Sequence, residues 1–254
     1  MTRRAILLRV LPLLALSLPA NAQHHTILAI GAHAADMELT AGGILASQRM
    51  LGDRVVLLHM TLGEAGNPKV SPQQYAAQKR QEATEAAKVL GAEVIFGPYQ
   101  DAMLPNNEES RRFVVDAIRQ VRPDYVITHW KNSFHKDHAN TYVIVKDAVL
   151  MAELEAVKTD HPPFRGIKGV YYAENWEDDE GYRPYLFVNI SRACDQWTRA
   201  IQAYQMVRGG VAPFHYFDYY TALVRLRGAQ MGKTCAETLD VEEAQKVLKM
   251  DSLH

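Results

Sequence analysis

The feature that most constrains this chain is an apolar run that ends abruptly in polar residues, Thr26-Ile-Leu-Ala-Ile-Gly-Ala-His-Ala-Ala-Asp-Met-Glu38. Five consecutive nonpolar residues, Ile27 to Gly31, suit a strand covered on both faces, as parallel sheets require. The segment behind it that contains Gly43 reads as a helix. Such a strand delivers His33, Asp36 and Glu38 to its own carboxyl end, the edge of an open parallel sheet where ligands bind. His33 and Asp36 offer an imidazole and a carboxylate, donors that zinc takes. The same pair also serves for loop capping, so these residues alone leave both roles open.

The alternation continues along the chain. Gly42 to Met50 is a short helix closed by Gly52, and Arg54 to Thr61 is a second apolar strand. Leu62 to Pro68 is a loop by its glycines and proline. Ser71 caps and Pro72 opens a helix that runs to Leu90 and stops at Gly91, with Ala76, Ala83, Ala87 and Leu90 as its apolar stripe. Glu93 to Gly97 is a third strand, Asn107 to Val121 a third helix and Asp124 to Thr128 a fourth strand. The order β-α-β-α-β-α-β predicts an α/β fold built on a doubly wound, mostly parallel sheet with helices on both faces. After the fourth strand comes His129-Trp-Lys-Asn-Ser-Phe-His-Lys-Asp-His138, which brings a second group of imidazoles to the same edge. Ala139 to Val157 then reads as a helix, and Gly169 to Ala173 and Tyr185 to Ile190 as strands flanking the acidic loop Glu174 to Gly181. The tail from Ser191 reads as helical in three pieces, broken at Pro213 and Gly232. No repeat, low-complexity stretch or linker interrupts residues 23–254, which read as a single domain.

Residues 1–22 follow a different logic. Arg3 and Arg4 precede a mostly apolar run, Ala5 to Leu18, and Pro19-Ala-Asn-Ala22 offers a cleavage site, the three parts of a secretory signal peptide. The run is too short for a comfortable membrane span and holds Pro12, so no stable span is expected and the mature chain is expected in the periplasm or outside the cell. Removing Arg3, Arg4 and Arg9 from 28 basic residues against 29 acidic ones leaves a mature chain with an excess of acids, which argues against nucleic acid as a partner. The two cysteines, Cys194 and Cys235, could pair in an oxidising compartment or stay as buried thiols, since their separation in sequence says nothing about proximity.

His33, Asp36 and a histidine from the 129–138 loop would give three donors and one position left for water, the pattern of a catalytic rather than a closed structural zinc site. Zinc lowers the pKa of such water to about 7. If the loop turns into a helix at His135 and His138, both face one site, one as ligand and the other as a free acid or base.

Gly31-Ala-His-Ala-Ala-Asp-Met-Glu38 with Gly42-Gly43 behind it, Thr61-Leu-Gly-Glu-Ala-Gly66, Glu82 ahead of Leu90-Gly91, and His135-Lys-Asp-His138 together resemble the PIG-L/LmbE-like zinc-dependent N-deacetylases. The resemblance implies a Rossmann-like fold, one Zn2+, and hydrolysis of an acetamide on an amino sugar, hence a small-molecule or carbohydrate substrate. By position it makes His33, Asp36 and His138 the zinc ligands. It makes His135 the group that stabilises the tetrahedral oxyanion or protonates the leaving amine, and Asp137 the carboxylate that orients it.

The sequence departs from that family in two places. The family motif reads A-H-P-D-D-x-E, and its first Asp, the general base, is Ala35 here, with Ala34 in place of the proline. A methyl group accepts no proton, and losing a positioned base typically costs ~10²–10⁴ in rate. Three readings follow: a divergent branch with another base, such as Glu64 or His135; a zinc-containing carbohydrate-binding protein without turnover; or an engineered substitution. The family's R-x-x-E element is also altered, with Lys79 three residues before Glu82 and Arg80 adjacent. Either cation would reach a substrate hydroxyl or phosphate, or both are surface charges.

Other residues carry paired readings. His129 joins the surroundings of the metal or packs at a strand end, His59 alternates within a strand as a core residue, and Glu38 is expected to accept backbone N–H bonds at a helix start. Trp176, with Tyr171, Tyr172 and Asn175 and the acids around it, offers aromatic faces beside acceptors, which suits a sugar, or belongs to a solvated acidic loop. The cluster from Tyr216 to Tyr220 reads as core or as a homo-oligomer face. A nucleotide-binding domain, which the fold class also allows, lacks G-x-G-x-x-G after the first strand.

Overall fold

The first apolar run forms β1 (Thr26–Gly31), and the polar residues after it turn at once into two helices, α1 (Asp36–Thr40) and α2 (Gly42–Met50). The computed structural model describes residues 24–178 and 180–247. The stretch read as a signal peptide lies outside the described residues. After α2 come β2 (Arg54–His59), α3 (Pro72–Leu90), β3 (Glu93–Phe96), α4 (Glu108–Val121), β4 (Tyr125–His129) and α5 (Lys136–Met151). The remainder is β5 (Gly169–Ala173), β6 (Leu186–Asn189), α6 (Cys194–Ile201), α7 (Gln205–Arg208), α8 (Tyr216–Gln230) and β7 (Ala236–Asp240). The strands form one sheet in the order β3-β2-β1-β4-β5-β7-β6, parallel from β3 to β5 and antiparallel at β7.

Alternate residues of one strand point to opposite layers. Leu28 and Ile30 of β1 pack with Val114 and Ile118 of α4 and Ile144 and Val145 of α5, whereas Ile27 and Ala29 join Leu45, Ala83, Leu90 and Trp197 on the other face. β1 pairs with β2 on one side and β4 on the other, so the chain moves outward in both directions from this pair. The crevice beyond their carboxyl ends is the switch point at which open α/β sheets bind ligands. The helix signals of α3 are realised in full. Ser71 Oγ accepts from the Gln74 N–H at 3.2 Å while Gln74 Oε1 accepts from the Ser71 N–H at 3.1 Å, and Gly91 ends the helix at φ 75°.

Three expectations need correction. The helix expected from Ala139 to Val157 runs from Lys136 to Met151. Its last turn is intercepted by the buried Arg119 guanidinium, which donates to the carbonyls of Ala152 (3.1 Å), Leu154 (2.8 Å) and Val157 (2.8 Å). The last piece of the tail, expected to be helical after Gly232, is instead β7, inserted between β5 and β6. Every side chain of this strand is buried, Glu237 and Asp240 included, so no polar face marks its period. Glu38, expected to accept backbone amides, is fully buried, takes the Tyr204 hydroxyl at 2.5 Å and lies 3.4 Å from His59 Nε2. His59 is a core residue, as its place in β2 suggested. Cys194, the first residue of α6, and Cys235, just before β7, form a disulfide.

Candidate metal centre

The turn from β1 into α1 is built around Ala35, which adopts φ 98° and ψ −21° and is almost fully buried. Left-handed backbone is unfavourable for alanine, so the surroundings must enforce it. Lys79 from α3 does part of this, donating to the Ala34 carbonyl at 2.5 Å, and the Thr61 hydroxyl holds the Ala32 carbonyl at 2.9 Å. The turn sends the His33 and Asp36 side chains to the same point. His138, two residues into α5, reaches it from across the β1/β4 pair.

His33 Nδ1, Asp36 Oδ2 and His138 Nε2 form a triangle. The two nitrogens are 3.1 Å apart, and each lies 3.3 Å from the oxygen. Donors about 2.0–2.1 Å from a tetrahedral zinc ion lie roughly 3.3 Å from one another, so this set fits one face of such a site. His135 and His129 crowd the same point, since donor atoms of His33, His135 and His138, and of Asp36, His129 and His138, lie within 4.8 Å of one another. The far nitrogens of the two ligand-like imidazoles meet carboxylates. His33 Nε2 is 3.0 Å from Asp101 Oδ1, and His138 Nδ1 is 2.8 Å from Glu177 Oε2. Carboxylate charge beside those nitrogens favours protons there, which would leave Nδ1 of His33 and Nε2 of His138 as the donors facing the triangle.

The electrostatics ask for a cation. Burial alone would lower the pKa of His33, yet Asp36, Asp101 and Asp137 outweigh it and hold the imidazole well above its ordinary value. His138 is likewise pushed up to about 9 by Asp36 and Glu177 against burial. Asp36 lies well below the usual carboxylate range because His138 and His33 overcome its desolvation. Two imidazoles that favour positive charge around a strongly ionised carboxylate suit a divalent ion, which would displace the protons. Burial, reinforced by His138, brings His129 down to about 4, and its Nε2 accepts the Ala32 N–H at 2.9 Å. His135 is lowered by burial and then by His33 and His138, which keeps it neutral. Its Nδ1 accepts the Asp137 N–H at 3.2 Å, so the ring proton sits on Nε2.

A cavity of about 140 Å³ opens onto this cluster. His135, Lys79, Trp176, Asp101 and Glu177 line it together with the triangle, and Met206 and Tyr216 add an apolar wall. Trp176 stacks one indole face on Phe214, with ring centres 4.1 Å apart. Tyr216 and Tyr220, read from the sequence as core or an oligomer face, also belong to this wall.

Several side chains lie elsewhere than expected. Asp137, expected to orient His135 by its carboxylate, does so through its backbone N–H, and its fully buried carboxylate lies 3.6 Å from His33 Nε2. Arg80 is exposed and places its guanidinium 4.2 Å over the Phe96 ring, away from the cavity that Lys79 lines. Glu64 accepts the Asp101 N–H at 3.0 Å, so its carboxylate is engaged on the loop that carries Asp101. Asp101 and Glu177 themselves were missed as carboxylates meeting His33 and His138. Asp101 stands shortly after the carboxyl end of β3, the same sheet edge that pointed to His33, but no motif surrounds it.

Residues 28–149 match the family model for PIG-L, GlcNAc-PI de-N-acetylase. A Pseudomonas putida protein named 4-oxalmesaconate hydratase is 26% identical over 219 residues, 83% of this chain and 82% of its own length. A diacetylchitobiose deacetylase of Thermococcus kodakarensis is 27% identical over 191 residues, 70% of this chain and 68% of its own. Among solved structures, a conserved protein of Thermus thermophilus superposes with a TM-score of 0.76 at 27% identity, covering 89% of this chain and 97% of that one. Residues 28–149, which carry the donor triangle at their two ends, are a PIG-L domain.

Proposed function

We propose that the protein is a zinc-dependent hydrolase that removes an acyl group, acetyl in the simplest case, from an N-acyl amino sugar or a related amide. The observation that carries this reading is the triangle of His33, Asp36 and His138 in the lining of a small cavity, with the His135 ring beside it. His33, Asp36 and His138 would hold the ion. Once bound, it supplies Lewis-acid polarisation of the acyl carbonyl and a lowered pKa for water.

The chain's own groups do the rest. His135 presents Nε2–H as a hydrogen-bond donor, fixed by the Asp137 N–H on its other nitrogen, so it stabilises charge developing on the acyl oxygen. The free part of the Trp176 ring offers an apolar surface for the C–H face of a sugar. Lys79 holds the Ala34 carbonyl and lines the cavity, where its ammonium would meet a polar substituent of the substrate. Ala35 contributes no proton acceptor.

A hydratase reading draws on the Pseudomonas putida relative and on Ala35, which removes the acceptor that the deacetylase chemistry uses. Here the same centre would add water to a double bond of an unsaturated acid. The test is amine release from a panel of N-acetyl amino sugars by the zinc-loaded protein, run beside the loss of absorbance of conjugated unsaturated acids. Amine release supports the hydrolase, and double-bond loss alone supports the hydratase. Zinc binding with neither leaves the carbohydrate-binding scaffold.

The N-terminal pattern supports export to the periplasm or beyond, and the Cys194–Cys235 disulfide suits an oxidising compartment. Among the described residues no helix is long and apolar enough to cross a membrane.

A further inference from the structure

We infer that Glu177 is a positioning residue for His138, fixing which ring nitrogen faces the donor triangle and so setting the affinity of the centre for a divalent cation. The inference deepens the zinc-dependent reading above and rests on it. His33 and Asp36 share one turn, which places them together whatever else happens. The third vertex arrives on a separate crossover, and its ring needs its own anchor.

The Nδ1 of His138 has two neighbours, Glu177 Oε2 at 2.8 Å and Ser133 Oγ at 3.4 Å. Only the first is a charged acceptor. Glu177 Oε2 is buried with no hydrogen-bond partner of its own, so its charge favours a proton on the adjacent Nδ1, which leaves the Nε2 lone pair toward His33 Nδ1 and Asp36 Oδ2 and makes the imidazole a stronger donor. The other tautomer would point an N–H into the triangle and block the ion.

Glu177 is itself held from two sides. Its N–H donates to Asn175 Oδ1 at 3.2 Å, and that oxygen also takes the buried Tyr220 hydroxyl from α8 at 3.1 Å. Its carbonyl accepts the Phe134 N–H at 3.2 Å and the Ser133 hydroxyl at 3.3 Å, both from the loop leading into α5. One short segment therefore ties the ring of His138 to the loop that carries it and to the α8 wall of the cavity. Glu177 lies outside the 28–149 segment that matches the family, so this anchor belongs to the part of the chain beyond it.

The experiment measures zinc affinity of the full chain by competition with a chromophoric chelator for wild type, Glu177→Gln and Glu177→Ala, with the d–d spectrum of the cobalt-loaded forms and the melting temperature of the metal-free forms alongside. Loss of such an anchor typically weakens binding by ~10–100-fold. Glu177→Ala should fall in that range with an altered cobalt spectrum. Glu177→Gln, which keeps an acceptor without the charge, should lie between it and wild type, and both should regain kcat at saturating zinc. If Glu177→Ala does not fold, the isosteric Glu177→Gln carries the test. Wild-type affinity and spectrum in both variants overturn the inference. So does full affinity with a kcat that saturating zinc does not restore, since the carboxylate would then act on the substrate. A wild type that binds no zinc defeats the zinc-dependent reading itself.

Discussion

Replacing Ala35 by Asp and, in parallel, by Asn isolates the chemistry missing at the position of the family's base. The backbone there is at φ 98°, where alanine is strained by roughly 1–2 kcal/mol, whereas Asn and Asp visit this region far more readily. Both replacements therefore keep the turn that delivers His33 and Asp36, and both bring a polar group of similar size to a site that is 1% exposed. They differ in one respect, since only Asp accepts a proton at neutral pH. A positioned base is worth ~10²–10⁴ in rate. The assay is free-amine release from N-acetyl amino sugars by zinc-loaded protein, with zinc content measured on the same samples. The Asp variant should exceed the Asn variant by about that factor at equal zinc loading. Equal rates would refute the reasoning, because a carboxylate on this turn would then have no access to the reacting water.

Two further predictions concern the scaffold. Replacing both Cys194 and Cys235 by serine should cost roughly 4 kcal/mol, given the loop of 41 residues that the bond closes, read as a lower denaturant midpoint under non-reducing conditions. An unchanged midpoint would mean that the bond constrains nothing. Burial raises Glu237 to about 7 although the Gly43 and Ile44 amides at the start of α2 oppose the shift. A carboxyl group with a raised folded-state pKa favours the fold below its ordinary pKa, and that contribution disappears as pH rises through the folded value. Relative to wild type, Glu237→Gln should thus gain about 3 kcal/mol between pH 4.5 and pH 7.5, measured by denaturant unfolding at both. A gap that moves the other way would show that the two amides hold the ionised form.

Much of this architecture can be read from local pattern. Ile27 to Gly31 and Val55 to Leu58 are continuous apolar runs, and their partners are fixed by parallel pairing. The Ser71, Pro72 and Gly91 signals mark both ends of α3 because capping depends on neighbours in sequence. His33 and Asp36 were legible because a strand end projects side chains in a predictable direction, whereas His138 was only one of several histidines after β4 until the resemblance to a known family singled it out. What escaped depends on contacts distant in sequence. β7 is buried on every side chain because Glu237 caps α2 almost two hundred residues earlier in the chain, and α5 stops short because Arg119 takes the carbonyls beyond it. Asp101 and Glu177 have no motif, and their meaning comes only from the imidazole nitrogens opposite them. Arg80 and Lys79 are adjacent in sequence, but one helical step turns the first to solvent and the second into the cavity.

The most direct measurement is the zinc content of the purified full chain after dialysis against trace zinc, for wild type, His138→Ala and Asp36→Ala, with His215→Ala as a control because that ring is 81% exposed and lines no part of the cavity over the triangle. One equivalent in wild type and the control, with almost none in His138→Ala and Asp36→Ala, is the predicted result. Full zinc retained by His138→Ala, or none bound by wild type, would contradict it.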